Sequence, residues 1–507
     1  MKRTTLSLIA VATALAAITG FAALTAPDGT VPVHPIAKLP VPVERSSLLC
    51  PAPSTSEVAE TVYTSYTPTA KAGTRTEPGK AAPGKAELKP AQAAATPVDD
   101  KPKKAATAKA PATVAQPGKP VTAEANGGTA PALTGSATGA LAPGWTVQQT
   151  TVVPAGGARG LLGVSCTAPD TDFWFPAAST AKDRQDYVHL TNPDDTAAVA
   201  DIELYGPEGA LPSQLTEGIP VPAHSSVPVL LSTLTGEAAK ADVTVHVTTR
   251  SGRVGAVIRS ADDKLGSDWL PASADPGARA VLPGIPKDAT SVRLVAYAPG
   301  QDDADLKIQL VGQSGTIVPA SAQSLHVKSG MTAAVDLPDL TRGEAGSLLL
   351  TPTDPKKATP VVAALRVVRG KGDDQEVAFI PATSAITSRA TVADNRPAGS
   401  TLSLTAPGET AEVRVTASAG SEGGTSVSKT FTVKGGTTTA VTPPVPDGLK
   451  GSYALTVERL SGGPVHAART LALPEDGIPM FTVQTLSDDR GTVEVPTAKQ
   501  NLSVLDD

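Results

Sequence analysis

Three histidines, His189, His246 and His466, are the side chains in this sequence best suited to acid–base chemistry near neutral pH. Each lies in a stretch where apolar and polar residues alternate, which is typical of a β-strand with one face in solvent. A Ser/His/Asp hydrolase also needs a nucleophile on a strained turn, and the sequence contains no Gly-x-Ser-x-Gly motif. We therefore expect outward-facing surface histidines and predict no catalytic residue.

Acidic side chains cluster at three places that we interpret as loops between strands or after the last strand. The clusters are Asp262, Asp263 and Asp268; Asp373, Asp374 and Glu376; and Asp488 and Asp489. Such carboxylates could bind Ca²⁺, but the alternating Asp-x-Asp spacing of ligands is absent, which favours solvated loop charge. Six scattered histidines and no Cys-x-x-Cys pair give no zinc ligand set. We predict no metal site and no cofactor.

Two further sets of residues could contact a ligand. Three arginines that each close a strand could form a ladder for an acidic ligand, or could each cover a sheet edge or pair with a local carboxylate; they are Arg259, Arg366 and Arg469. Three aromatic residues could stack on sugars, or could be the large members of small apolar cores; they are Tyr187, Trp269 and Tyr297. For both sets we favour the structural alternative.

The N-terminus reads as an export signal. Lys2 and Arg3 precede an uncharged run over residues 4–26, which is long enough to span a bilayer as a helix. Basic residues before such a run place the remainder of the chain outside the cytoplasm. A cleaved signal peptide and a retained signal anchor are both open. In an exported chain the two cysteines, Cys50 and Cys166, predict one disulfide.

Composition limits the class of protein. The chain has 507 residues, which is too long for a single hydrophobic core and indicates several domains. Aromatic residues make up only 3%. Its formal net charge is −6, from 43 basic and 49 acidic residues. Proteins that bind nucleic acid carry a clustered basic face, and this mildly acidic balance argues against one. We therefore predict no nucleic-acid partner.

The elements that must position these residues recur about every 107 residues. Pro193, Pro299 and Pro407 each end an opening strand, and the three arginines named above each end a late one. Between them lie short alternating segments separated by Gly and Pro turns, with no amphipathic helix. Seven or eight such strands per repeat indicate an antiparallel β-sandwich of immunoglobulin-like type.

The repeat also extends towards the N-terminus. Residues 47–53 match an opening strand, residues 160–166 match 252–259, and residues 173–177 match 269–272. Both cysteines fall in this fourth unit. Between its two halves lies a block rich in Ala, Pro and Lys without any aromatic residue, which we predict to be disordered because it cannot bury enough apolar area. Its Lys101, Lys103 and Lys104 could attract acidic polymers or lipid headgroups, or could simply be solvated.

The predicted fold class is therefore all-β: tandem immunoglobulin-like β-sandwich repeats, preceded by one N-terminal helix and interrupted by a disordered segment. The predicted boundaries are a signal peptide or signal-anchor helix at 1–26, an extended tether at 27–44, a split β unit at 45–66 plus 145–179, the disordered insert at 67–144, three sandwich repeats at 180–279, 280–389 and 390–496, and a tail at 497–507.

Several of these segments together resemble an uncharacterised family of secreted or membrane-anchored actinobacterial proteins. They are the apolar run at the N-terminus, residues 48–53, residues 173–176 and residues 188–193. The resemblance implies an envelope location and no established activity, so it assigns no site residue.

We carry two classes of function forward. The first is a non-enzymatic extracytoplasmic scaffold or binding module for an envelope glycan or protein, held at the membrane by its N-terminal helix. The alternative is an exported hydrolase, or an accessory subunit of an envelope enzyme, with its site at a domain junction. Converging carboxylates that open into a pocket between two repeats would favour the enzyme.

Overall fold

The computed structural model describes residues 38–69, 84–93, 112–213, 217–236 and 239–496. Within these residues the regular structure is β-strand, apart from three short 3₁₀ helices, Gly139–Leu141, Leu231–Thr233 and Pro355–Lys357. The all-β prediction is confirmed for this part of the chain. The predicted helix at 1–26 and the predicted tail at 497–507 lie outside it. Over the ranges described, we find no helix with the length and apolar character of a membrane span.

The strands fall into four successive repeats. The first repeat contains β2 (Arg45–Cys50), β3 (Glu60–Tyr66), β4 (Ala86–Pro90), β5 (Gln92–Ala93), β6 (Thr113–Val114), β7 (Val121–Asn126), β8 (Leu133–Thr138), β9 (Thr146–Val153) and β10 (Gly160–Ser165). The second contains β11 (Asp172–Ala178), β12 (Arg184–Thr191), β13 (Ala198–Gly206), β14 (Gly209–Ala210), β15 (Ile219–Val221), β16 (Ser225–Leu230), β17 (Val243–Ser251), β18 (Gly255–Asp262) and β19 (Gly266–Leu270).

The third and fourth repeats follow the same plan. The third contains β20 (Ala280–Ile285), β21 (Ala289–Tyr297), β22 (Ala304–Val311), β23 (Thr316–Ile317), β24 (Ser324–Val327), β25 (Thr332–Asp336), β26 (Gly346–Pro352), β27 (Val362–Lys371) and β28 (Asp374–Pro381). The fourth contains β29 (Arg389–Asn395), β30 (Ser400–Ala406), β31 (Ala411–Ala417), β32 (Gly423–Thr425), β33 (Val427–Val433), β34 (Thr437–Val441), β35 (Asp447–Lys450), β36 (Tyr453–Gly462), β37 (His466–Ala472) and β38 (Phe481–Leu486).

Each repeat builds two sheets with one recurring order of strands. The first strand of the repeat lies at an edge of one sheet, as in β11-β17-β13, and the last strand lies at an edge of the other, as in β19-β18-β12-β16. The corresponding sheets are β2-β8-β4-β6 with β10-β9-β3-β7, β20-β26-β22 with β28-β27-β21-β25, and β29-β36-β31-β33 with β38-β37-β30-β34. The last strand of each of the four repeats therefore lies at a sheet edge.

Each repeat has a hydrophobic core, and each core is in contact with the core of the next repeat. In the second repeat, Phe175 of one sheet and Leu190 of the other are fully buried in one cluster. The same cluster also contains Phe379 of the third repeat, and the core of the third repeat contains Phe481 of the fourth. Residues 42–492 form one compact part, so these are contacts within one body.

A second, small part consists of the two ends of the described chain. There β1 (Lys38–Pro42) pairs with β39 (Thr492–Pro496). Of the predicted extended tether at 27–44, residues 38–42 form this paired strand, and residues 27–37 lie outside the described ranges.

The predicted disorder of residues 67–144 is wrong for most of the block. Residues 84–93 and 112–144 are described, and they supply β4 to β8 of the first repeat. Leu88, Leu133 and Leu141 from this block are buried in the core that also holds Cys50. Composition is misleading here because β7 and β8 pair with β3 and β2, which precede the block. Residues 70–83 and 94–111 lie outside the description.

Residues 172–178 also differ from the prediction, which placed them in the split N-terminal unit. They form β11, which pairs with β17 of the second repeat. Residues 160–165 form β10, which holds the edge position that β19 holds in the second repeat, not the position of β18. For residues 173–177 the mismatch arises because Phe-Trp-Phe-Pro in a first strand resembles Trp-Leu-Pro at the end of a last strand. Local similarity does not reveal which sheet a strand joins.

The predicted disulfide between Cys50 and Cys166 is present, with the two Cα atoms 4.5 Å apart. Cys50 ends β2 in one sheet, and Cys166 directly follows β10 in the other. The bridge therefore ties together the two sheets of the first repeat, next to the C-terminal end of β10.

Replacing Cys50 and Cys166 together by serine should destabilise the first repeat by up to about 5 kcal/mol, because the bridge restricts an unfolded loop spanning 116 residues. Hydrogen exchange followed by mass spectrometry should show faster exchange in β2 and β9 than in the wild type. Unchanged protection of these strands would contradict the account.

Candidate functional site

The four last strands, β10, β19, β28 and β38, meet one another. β10 contacts β19, β19 contacts β28, β28 contacts β38, and β38 contacts β10 again, so the contacts close a cycle. We call these four strands the axial junction. Their residues are buried on both faces along most of their length. Polar groups in the axial junction are therefore removed from water and need partners within the protein.

Asp268 of β19 joins three of the repeats. Its carboxylate accepts hydrogen bonds from the backbone amides of Gly163, at 3.1 Å, and Trp269, at 2.8 Å. The Thr482 hydroxyl lies 3.1 and 3.0 Å from its two oxygens. Burial raises the pKa of Asp268 well above its ordinary value, while these donors act to lower it.

Glu376 of β28 makes the complementary contact. It is fully buried, and its Oε1 accepts a hydrogen bond of 3.0 Å from the backbone amide of Leu161. Its Oε2 has no hydrogen-bond partner among the described residues. Burial raises the pKa of Glu376 to about 8, against the lowering effects of the Leu161 amide and of the nearby Arg159.

The two carboxylates satisfy an open sheet edge. β10 is an edge strand, so alternate amides point away from its only partner, β9. Two of these outward amides, of Leu161 and Gly163, donate to Glu376 and Asp268, which belong to other repeats. Side chains of the second and third repeats thus take the place of a missing neighbouring strand.

Arg159, just before β10, also contacts the second and third repeats. Its guanidinium donates to the backbone carbonyls of Lys264 at 3.0 Å, Gln375 at 2.7 Å and Asp373 at 3.2 Å. It therefore fixes the turns that lead into β19 and β28.

Glycines in β10 make room for this packing. A Cβ at Gly160 would collide with the Ser267 carbonyl and lie 2.8 Å from Glu376 Oε1, and φ at this glycine is +148°. A Cβ at Gly163 would collide with the Gln484 side-chain amide. Glycine inside a strand marks a close approach of other groups. The two glycines inside an apolar stretch are the sequence signal of this close approach.

Asp268 and Glu376 thus differ from the expectation that these acidic clusters are solvated loop charge. Both lie in strands and are buried, with 1% and 0% of their surface exposed. Carboxyl groups with raised pKa values can serve as general acids, but such an acid must touch its substrate. The structure instead assigns both groups to holding the repeats together. Within the described ranges, no cluster of three or more His, Cys, Asp or Glu is placed to hold a metal ion.

Two of the three predicted surface histidines are buried. His189 packs edge-on against Trp269 at 5.3 Å, and burial lowers its pKa to about 3. His466 donates from Nδ1 to the Thr383 carbonyl at 3.0 Å, and burial lowers its pKa to about 4. The expectation fails because a neighbouring repeat covers the outer face of each strand. Leu162 of the first repeat packs with Trp269 beside His189, and His466 meets the segment that follows β28. His246 is partly exposed, with 14% of its side-chain surface in solvent.

The arginines do not form an accessible ladder. Arg259 lies over the Tyr187 ring, 5.4 Å from its centre, while Arg469 is fully buried in the fourth repeat, where burial lowers its pKa to about 10. Trp269 and Tyr297 are also buried, as core residues would be. The structural alternative therefore describes this set better than ligand binding from solvent.

Comparison with known proteins places the chain in a family. A model described as "Family of unknown function (DUF5719)" matches residues 121–444, more than half of the chain. The chain belongs to this family. In this DUF5719 protein the matched residues include Asp268 and Glu376 and end before β38. A search among curated proteins found no match.

Replacing Glu376 by Gln should remove a pH dependence of folding. The folded state keeps a proton on Glu376 that the unfolded chain releases above about pH 4.5, so the stability of the wild type falls as the pH rises towards about 8. Between pH 5 and pH 9 the wild type should lose about 4 kcal/mol more than Glu376→Gln. Urea unfolding across this range measures it, with Glu344→Gln, an exposed residue, as the control. Parallel profiles for wild type and Glu376→Gln would contradict the assignment.

Replacing Gly160 by Ala should destabilise the body by about 1–3 kcal/mol, because the new methyl group meets backbone that cannot move freely. Gly157→Ala is the matched control, since a Cβ there meets nothing within 4 Å. Thermal unfolding of both variants gives the comparison. Equal melting temperatures would show that β10 does not pack against β19 as described.

Proposed function

We propose that this chain is a non-enzymatic extracytoplasmic envelope protein. In this proposal residues 1–26 hold it at the membrane or direct its secretion, and four immunoglobulin-like β-sandwiches form a rigid body. That body is a scaffold or binding module for an envelope glycan or an envelope protein.

The observation that carries the proposal is the structural role of Asp268 and Glu376, which join the repeats by hydrogen bonds. They are a pair of carboxyl groups with raised pKa values at a junction of repeats, the feature by which an enzyme of this architecture would be recognised. Both are sealed from solvent and bonded to the amides of Leu161 and Gly163. Groups used in this way favour a body built for rigidity over a hydrolase with a site at that junction.

Two further observations support the location. The Cys50–Cys166 disulfide is of a kind that persists in oxidising compartments outside the cytoplasm. Lys2 and Arg3 followed by the apolar run over 4–26 have the pattern of an export signal. The resemblance to secreted actinobacterial proteins agrees with both.

The experiment is sedimentation of the purified full chain with isolated, insoluble envelope material, together with an assay for soluble fragments released from it. We expect the protein to enter the pellet and the amount of soluble sugar and peptide to stay at the level of a protein-free control.

The Asp268→Asn/Glu376→Gln double variant is the control for catalysis. Release of fragments by the wild type but not by this folded variant would replace the proposal by the hydrolase alternative. Failure of the wild type to sediment with envelope material would overturn the binding proposal itself.

A further inference from the structure

Ring-bearing side chains are concentrated on the outer face of the sheet β11-β17-β13. Trp174, His246 and Glu203 stand directly opposite one another across these three strands. The Trp174 and His246 rings stack at 3.6 Å with an angle of 8° between them. Tyr205 lies two residues beyond Glu203 on the same strand and packs on Tyr297 at 4.7 Å. This is a dense aromatic group for a chain with only six tyrosines and three tryptophans.

Part of this group faces solvent. Trp174 and Tyr297 are buried and anchor the stack between the second and third repeats, whereas Tyr205 and His246 are partly exposed. Carboxylates surround the exposed edge: His246 lies 3.2 Å from Asp172 and 3.4 Å from Glu203. These two carboxylates expose 52% and 58% of their side-chain surface. The Tyr205 hydroxyl also donates to Glu203 at 2.8 Å, so the rings are fixed in place while the two neighbouring carboxylates stay more than half exposed.

A shallow groove continues from this edge. It has a volume of about 230 Å³, and Glu203, Asp201, Ile219 and Arg250 are among the residues that line it. The Arg250 guanidinium and the Asp201 carboxylate form an ion pair at 2.6 Å on its wall. The groove is smaller than the roughly 300–1,000 Å³ of pockets for drug-sized ligands, so one sugar unit suits it better than a larger folded ligand.

We infer that this face, formed by Tyr205, His246, Glu203, Asp172 and the groove beside them, binds a neutral glycan. A sugar ring presents an apolar C–H face that packs on an aromatic side chain, and hydroxyl groups that carboxylates and guanidinium groups bind. Acidic groups outnumber basic ones here, which disfavours a uronate or phosphate polymer. A protein partner would require a larger apolar centre in the interface than this exposed, carboxylate-rich surface offers.

The inference rests on the proposed function, since it names the ligand class and the surface of the proposed binding module. The direct test uses the full chain and immobilised hexasaccharides of glucose, mannose and galactose, with a galacturonate hexamer as the acidic comparison. We expect at least one neutral hexasaccharide to bind and the galacturonate hexamer to bind at least tenfold more weakly.

Three variants and one matched control locate the binding. Tyr205→Ala and Glu203→Ala should each weaken it about tenfold, and Tyr205→Phe, which keeps the ring, should weaken it less than Tyr205→Ala. Glu412→Ala, an exposed glutamate on β31, the strand of the fourth repeat that corresponds to β13, should have no effect. Unchanged melting temperatures exclude misfolding as the cause.

Sedimentation with envelope material separates the possible failures. Binding of the wild type that survives periodate oxidation of the material, or that the Glu203→Ala/Tyr205→Ala variant retains, would overturn the glycan site and leave the binding proposal standing. No binding of any neutral hexasaccharide, or binding that none of the three variants weakens, would also overturn it. If the wild type does not sediment with untreated material, the proposed function itself fails.

Discussion

The open edge of β10 is the constraint on which the rest of this structure depends. Its outward amides, at Leu161 and Gly163, would be buried without partners if the first repeat met only apolar surfaces. Glu376 and Asp268 meet that need, but only when the second and third repeats occupy their observed positions. Thr482 of the fourth repeat then completes the partners of Asp268. One strand edge thereby couples all four repeats in a single arrangement.

This coupling separates the interior of the body from its outer surface. Asp268, Glu376 and His189, which would carry chemistry in an enzyme, are sealed at contacts between repeats. What remains available to a partner lies on outer sheet faces such as the one carrying Glu203 and His246. These positions agree better with the proposed binding module than with the alternative of a hydrolase.

The sequence predicted those features that depend on local pattern or on chain-wide periodicity. The strands, the recurrence near 107 residues and the Cys50–Cys166 bridge belong to this class. It did not predict contacts between repeats, because alternation shows that one face of a strand is apolar but not what covers the other. His189 and His466 were therefore expected at the surface, and Asp268 and Glu376 in solvated loops. Gly160 and Gly163 were the local signal of close approach at β10. The strands at 121–126 and 133–138 escaped prediction because their small residues are ordered by partners earlier in the chain.

Hydrogen exchange at the Leu161 and Gly163 amides measures whether the repeats separate, because their hydrogen bonds exist only while the repeats are joined. We predict that both amides exchange as slowly as core amides such as that of Val245, in one cooperative opening of the body. Exchange of these two amides orders of magnitude faster than the core of their own repeat would show that the repeats separate freely. That result would contradict the closed axial junction.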